Sequence, residues 1–293
     1  MRAPADIAAF DQRQAQALRS IWFLGDVHNE FRHIGRALQR CVRANQNKSK
    51  SKNTEPLPEW LVFLGDQDLE LTSFGEVVRR LRQIHPGLNF AFIHGNHDGD
   101  SFDKWALLHD NTDAVALHGE VVELSGVRVA GLGGNSQGRV WSPPTDPVFE
   151  SREALVRARP VRANPPADWV LAHPARAVHV PLGQPALWPL SPKLLAAIYP
   201  QDVARLSAHR ADILVTHEAP SCHPYGWAAL DEAARSLRVY RMFHGHTHDD
   251  QSDQYALQAE NLGFDARAVN FCCIKNGLGE LIGGPPDEIK GWS

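Results

Sequence analysis

Five short runs in this chain carry the residue types of metal chemistry: GDVH at 25–28, GDQD at 65–68, GNHD at 95–98, VTHEAP at 215–220 and GHTH at 245–248. They supply imidazole nitrogens, carboxylates and an amide oxygen, a donor set that suits divalent manganese, iron, nickel or zinc. No thiolate joins them. The candidate donors are Asp26, His28, Asp66, Asn96, His217, His246 and His248, with His97 and Asp98 beside them. These are more donors than one tetrahedral ion takes, and a carboxylate has two oxygens, so Asp66 is able to bridge a pair of ions about 3.5–4 Å apart. Two such ions with two aspartates and a hydroxide leave the centre at about +1, which attracts a phosphate group.

Residues this far apart in sequence meet only if the fold gathers them. Apolar, β-branched or aromatic runs at 21–24, 60–64, 89–93, 127–130, 212–215, 239–243 and 268–271 are expected to be strands buried on both faces. Amphipathic patterns at 31–44, 74–85, 101–108 and 227–239 are expected to be helices. Strand followed by helix, several times over, predicts an α/β fold with a parallel or mixed sheet. In such sheets ligands bind beyond the carboxyl ends of the strands, and the polar runs stand at those ends. Gly25, Gly65, Gly95 and Gly245 permit the sharp turns that deliver side chains into a crowded centre. The chain reads as one domain, 1–293, with insertions at about 45–58 and 141–192. The first is polar and Lys/Ser-rich, an expected exposed loop. The second is Pro-rich with three tryptophans, and reads equally as a cap over a site or as an irregular packed insertion.

Composition narrows the function further. With 43% hydrophobic and 22% charged residues the chain is an ordinary globular protein, and its net charge of -4 offers no general attraction for a polyanion. The longest uncharged stretch, from Ala177 to Pro192, is broken by four prolines, so no membrane-spanning helix is expected. Asp6 and Asp11 interrupt the first twenty residues, which do not read as a secretory signal; a cytoplasmic protein is expected. Cys41, Cys222, Cys272 and Cys273 form no CxxC pair and are expected to be reduced and without chemistry.

The ordered blocks D-x-H, G-D, G-N-H-D, H and G-H-x-H, spanning Asp26 to His248, resemble the calcineurin-like metallophosphoesterase superfamily. The resemblance implies a two-sheet β-sandwich flanked by helices, in four layers, with a dinuclear site at the strand ends. It puts Asp26, His28 and His248 on one metal, Asn96, His217 and His246 on the other, and Asp66 between them. His97 matches the catalytic histidine, which faces the leaving group or a phosphate oxygen, and Asp98 would orient it. The family often has another acidic residue three after the bridging aspartate; here that position is Leu69, with Asp68 one residue earlier. The resemblance also makes Mn2+ the expected metal, although the same donors accept Fe, Zn or Ni.

Taken singly, His217 or Asn96 would be a hydrogen-bonded structural residue; only the joint pattern makes them ligands. His94 and His244 are expected to be core residues or to lie behind the ligands, and Arg139 to be a solvated loop arginine. The expected reaction is hydrolysis of a phosphodiester or phosphomonoester by a metal-bound hydroxide, with His97 giving a proton to the leaving group. The alternative is a catalytically weak metallophosphoesterase-like scaffold for protein interaction, against which stands the full set of motif residues. The stretches GDVHN, GDQDLEL and GNHD depart from the GDxHG, GDxVDRG and GNHE of Ser/Thr protein phosphatases and look closer to phosphodiesterase-like branches. A phosphorylated small or flexible substrate is expected, with nucleic acid not favoured and no membrane partner.

Overall fold

Short apolar runs pair into two sheets, and the computed structural model describes residues 2–46, 56–110, 112–158 and 191–285. In the first sheet β1 (Ile21–Leu24), β2 (Trp60–Phe63), β3 (Asn89–Phe92) and β4 (Val115–Ala116) run parallel. On the far side of β1 lie β10 (Ile274–Asn276) and β11 (Leu281–Gly283), each antiparallel to its neighbour. In the second sheet β6 (Val127–Leu132), β7 (Ile213–Thr216), β8 (Arg241–His244) and β9 (Asp265–Ala268) run parallel, with β5 (Val121–Leu124) antiparallel beside β6.

The strands are apolar on both faces because each sheet is covered twice. Ile21 and Phe23 of β1, Val62 of β2 and Ala91 of β3 face inward with Val127, Val129, Ile213, Val215 and Phe243 of the second sheet. Phe23 and Phe243 stack across the gap with ring centroids 4.1 Å apart. The alternate residues Trp22, Leu24, Leu61, Phe63, Phe90 and Phe92 face outward against α2 (Arg32–Gln46) and α3 (Phe74–Ile84). In α3 the apolar positions Phe74, Val77, Val78 and Leu81 form one helical stripe, and Ser73 caps the start by accepting from the Glu76 N–H. On the outside of the second sheet, Leu214, Met242, Ala266 and Ala268 pack against Leu206, Leu230, Ala234, Leu237 and Tyr255. The result is the expected four-layer arrangement, helices, sheet, sheet and helices, with α4 (Phe102–His109) following β3.

Two elements differ from expectation. The last strand of the second sheet is Asp265–Ala268 rather than 268–271, because buried Arg241 pairs with Asp265 and keeps that polar stretch inside. A helix over Pro4–Ser20, α1, was not expected; it places Phe10 and Leu18 in the inner core, and its Asp11 binds Arg241. The expected insertions fall mainly on residues 47–55 and 159–190, which lie outside the described residues. Of the second, the described parts include α5 (Arg152–Ala158), and α6 (Pro192–Leu195) follows directly on it. No helix among the described residues is long and apolar enough to cross a membrane. None of the four cysteines is in a disulfide, and Cys272 is buried and Cys273 partly exposed, as adjacent residues facing opposite ways would be.

Candidate metal centre

Parallel pairing puts the carboxyl ends of β1, β2 and β3 side by side, and those of β7 and β8 side by side in the facing sheet. Asp26 and His28 follow β1, Asp66 follows β2, Asn96 follows β3, His217 follows β7, and His246 and His248 follow β8. Every sequence-predicted donor thus reaches one edge of the sandwich. The turns that bring them there are unusual. His28, Asp66, His246 and His248 have φ of 38°, 49°, 67° and 54°, in the left-handed region that costs a non-glycine residue about 1–3 kcal/mol and persists only where packing over-determines it. Gly65, at φ 103°, has no room for a side chain, because a methyl group there would overlap His217 Nδ1. A methyl group on Gly95 would overlap Asp66 Oδ1.

The donors are in mutual contact. His217 Nε2 lies 3.0 Å from Asn96 Oδ1 and 3.4 Å from Asp66 Oδ2, and its ring is 4.8 Å from that of His246. His248 Nε2 lies 3.2 Å from Asp26 Oδ2 and 3.3 Å from His28 Nε2, which is 3.8 Å from Asp66 Oδ2. Asp66 therefore stands between a group formed by His217, His246 and Asn96 and a group formed by Asp26, His28 and His248. One donor atom of each of Asp66, His217 and His246 falls within a 4.8 Å cluster suited to a cation.

The outer contacts of these side chains fix which atoms face inward. His217 Nδ1 lies 2.9 Å from the Leu64 carbonyl, an acceptor, so the ring donates there and keeps Nε2 for the site. His28 Nδ1 lies 3.2 Å from Asp68 Oδ2, with the same effect. Asp66 Oδ1 accepts the His97 N–H at 2.8 Å, leaving Oδ2 directed at the histidines. Asp26 Oδ2 accepts the His246 N–H at 2.7 Å, whereas its Oδ1, fully buried, has no hydrogen-bond partner and only the Nδ1 edge of His217 3.6 Å away. A buried carboxylate oxygen without a donor is costly unless a cation meets it. This orphaned atom, the inward-facing imidazole nitrogens and the hard oxygen donors fit divalent metal ions.

Protonation follows from the crowding. Burial opposes charge on His217, but Asp66 and Asp26 beside it raise its pKa well above that of an ordinary histidine. Asp66, despite burial, is held below the usual carboxylate range by His217. His28 is raised too: burial works against it, and its bond to Asp68 and the nearby Asp66 prevail. Burial lowers His246, reinforced by the charge on His217. Burial also keeps His94 and His244 neutral in the core, as expected of them.

Asp98 departs from its expected part. It does not meet the His97 ring; its two oxygens accept the Gly95 and Asp68 N–H groups, both at 2.8 Å, tying the turn after β3 to the turn after β2. Burial and the neighbouring Asp66 push its pKa up to about 7. The partner of His97 is Asp100, whose Oδ2 lies 2.9 Å from Nδ1. Sequence reasoning passed over Asp100, as it did Lys104, which pairs with Asp68, and Lys193, which pairs with Asp100. It also passed over Glu218, a buried carboxylate that accepts the Ser136 N–H at 2.9 Å and lies 3.9 Å from His246 Nε2. Arg139 is exposed in its loop.

Two parallel-rich sheets flanked by helices, with nitrogen and oxygen donors gathered at the joined strand ends, define the metallophosphoesterase type of fold. The calcineurin-like phosphoesterase profile matches residues 19–250, and the chain belongs to that family, whose members are mostly metal-dependent hydrolases of phosphate esters. A Haemophilus influenzae protein described as uncharacterized is 29% identical over 255 residues, covering 85% of this chain and 92% of that protein. The crystal structure of TT1561 of Thermus thermophilus aligns with 90% of this chain and 97% of its own at 13% identity, with a TM-score of 0.42. A second solved structure aligns with 89% of this chain and 96% of its own at 11% identity, with a TM-score of 0.41.

Proposed function

We propose that this protein is a dinuclear phosphoesterase that hydrolyses a phosphodiester, or less readily a phosphomonoester, of a small or flexible substrate in the cytoplasm. The observation that carries the proposal is the position of Asp66 Oδ2 between two imidazoles, 3.4 Å from His217 Nε2 and 3.8 Å from His28 Nε2, with both rings held from behind at Nδ1 by the Leu64 carbonyl and Asp68. Asp26, His28 and His248 would hold one ion, Asn96, His217 and His246 the other, and Asp66 both. Manganese is the proposed metal. When bound, the ions supply Lewis acidity toward the phosphate oxygens and a nucleophile drawn from water. The Leu64 carbonyl and Asp68 keep His217 and His28 in the tautomer whose Nε2 faces the site. His97, with its side chain 46% exposed beside the His28 ring, delivers a proton to the leaving oxygen, a contribution of about 10²–10⁴ in rate where that group is a poor one. The absence of a disulfide among the four cysteines suits a reducing compartment.

The test is hydrolysis of bis(p-nitrophenyl) phosphate by metal-stripped protein before and after addition of manganese, with Asp66→Asn as the control. Rescue in the wild type alone supports the proposal. Silence from folded protein with manganese, iron, zinc and nickel each supplied would overturn it for aryl diesters and favour a non-catalytic scaffold.

A further inference from the structure

We infer that Asp100 is the positioning residue for His97, and that Lys193 and Lys104 hold Asp100 in place to do it. The inference rests on the role proposed for His97 above, but its geometry stands on its own. Residues His97–Gly99 form a single 3-10 turn, closed by the Asp100 N–H donating to the His97 carbonyl at 3.1 Å. In such a turn side chains three apart eclipse, whereas adjacent ones point roughly a third of a revolution apart. Asp100 therefore falls on the His97 ring while Asp98 is carried inward to the backbone of Gly95 and Asp68. With its side chain almost half exposed, His97 has little packing to fix its orientation, so the 2.9 Å bond from Nδ1 to Asp100 Oδ2 sets it. With Nδ1 engaged by Asp100, the protonated ring presents its Nε2–H as the proton to be given, and the neutral ring its Nε2 lone pair.

The second oxygen of Asp100 is taken by Lys193 Nζ at 3.0 Å, and Lys104 Nζ lies 3.9 Å from Oδ2 while pairing with Asp68. Lys193 sits in α6, and α6 is pressed against the turn: a methyl group on Gly99 would lie 2.7 Å from the Ala196 side chain and 2.9 Å from the Pro192 carbonyl. The helix after the Pro-rich segment thus buttresses the turn that carries His97. Asp68, His97 and Asp100 also form a compact donor cluster, but the two ammonium groups already balance its two carboxylates, which argues for a positioning network rather than a third cation site.

The test uses full-length protein labelled with 15N-histidine, with the His97 ring signals assigned by their loss in His97→Gln. In its neutral form the wild-type ring is expected to carry its hydrogen on Nδ1, the nitrogen that meets Asp100. Asp100→Ala should abolish that pattern, Lys193→Ala should weaken it, and Asp98→Asn should leave it. In turnover, Asp100→Ala is expected to lower kcat about tenfold or more on an alkyl phosphate ester and less than about twofold on the p-nitrophenyl ester, which needs no acid. A merely structural loss would depress both alike. Unchanged His97 signals in Asp100→Ala, or an equal loss on the two esters, would overturn the inference. If wild type cleaves neither ester with any metal, the functional proposal fails, and the tautomer measurement alone decides the role of Asp100.

Discussion

Metal uptake by this site must expel protons, and the geometry sets how many. His217 has Nε2 3.4 Å from Asp66 Oδ2 and Nδ1 3.6 Å from Asp26 Oδ1, and these two carboxylates raise its pKa and favour the imidazolium when no metal is bound. Ligation needs the Nε2 lone pair, so that proton leaves, and the raised pKa of His28 works in the same direction. Each proton released makes the apparent metal affinity rise about tenfold per pH unit, or about 1.4 kcal/mol, while the metal-free histidine remains charged. The stability of the metal-free protein changes in the opposite sense. A raised histidine pKa stabilises the fold fully below the unfolded value of about 6.5, and that stabilisation is lost as pH rises through the folded value. The thermal shift produced by a fixed metal concentration should therefore grow from pH near 6.5 upward. Calorimetric titration with manganese in buffers of different ionisation enthalpy counts the protons directly, and between one and two are expected. A heat independent of the buffer, or an affinity that falls with rising pH, would refute the imidazolium assignment.

Asp68→Asn removes the carboxylate behind His28 and should weaken metal binding about 10- to 100-fold with little change in fold, as read by equilibrium dialysis and circular dichroism. Gly95→Ala places a methyl group against Asp66 Oδ1 and should lose metal binding outright, a result that full retention of bound metal would contradict. Arg241→Met leaves Asp265 buried without its partner, and denaturant unfolding should show a loss of about 3–5 kcal/mol.

The convergence of the candidate donors was legible in the sequence because they stand in short runs directly after strands whose apolar signature is strong. Runs such as IWFL and ILVT are buried on both faces, and the turn that follows has one place to go. Where an element is held by charge rather than apolar contact, the pattern fails: β9 begins at Asp265 because of Arg241, while the more apolar residues beyond Ala268 lie outside the strand. The partner of His97 was missed for a related reason. Neighbours in sequence suggest a pair, but the 3-10 turn separates His97 from Asp98 and brings it to Asp100, a spacing visible in GNHDGD only once the turn type is known. Lys193 carries no signal at all, since only tertiary packing of α6 on Gly99 brings it to the site.

Two ions acting together are the core of the proposed chemistry, so the decisive measurement is a titration of metal-stripped protein with manganese in which bound metal and diester hydrolysis are followed in the same samples. Binding should saturate at about two ions per chain, with hydrolysis rising mainly with the second, and Asp66→Asn should show neither. Full hydrolysis at one ion per chain, or hydrolysis by Asp66→Asn equal to that of the wild type, would contradict it.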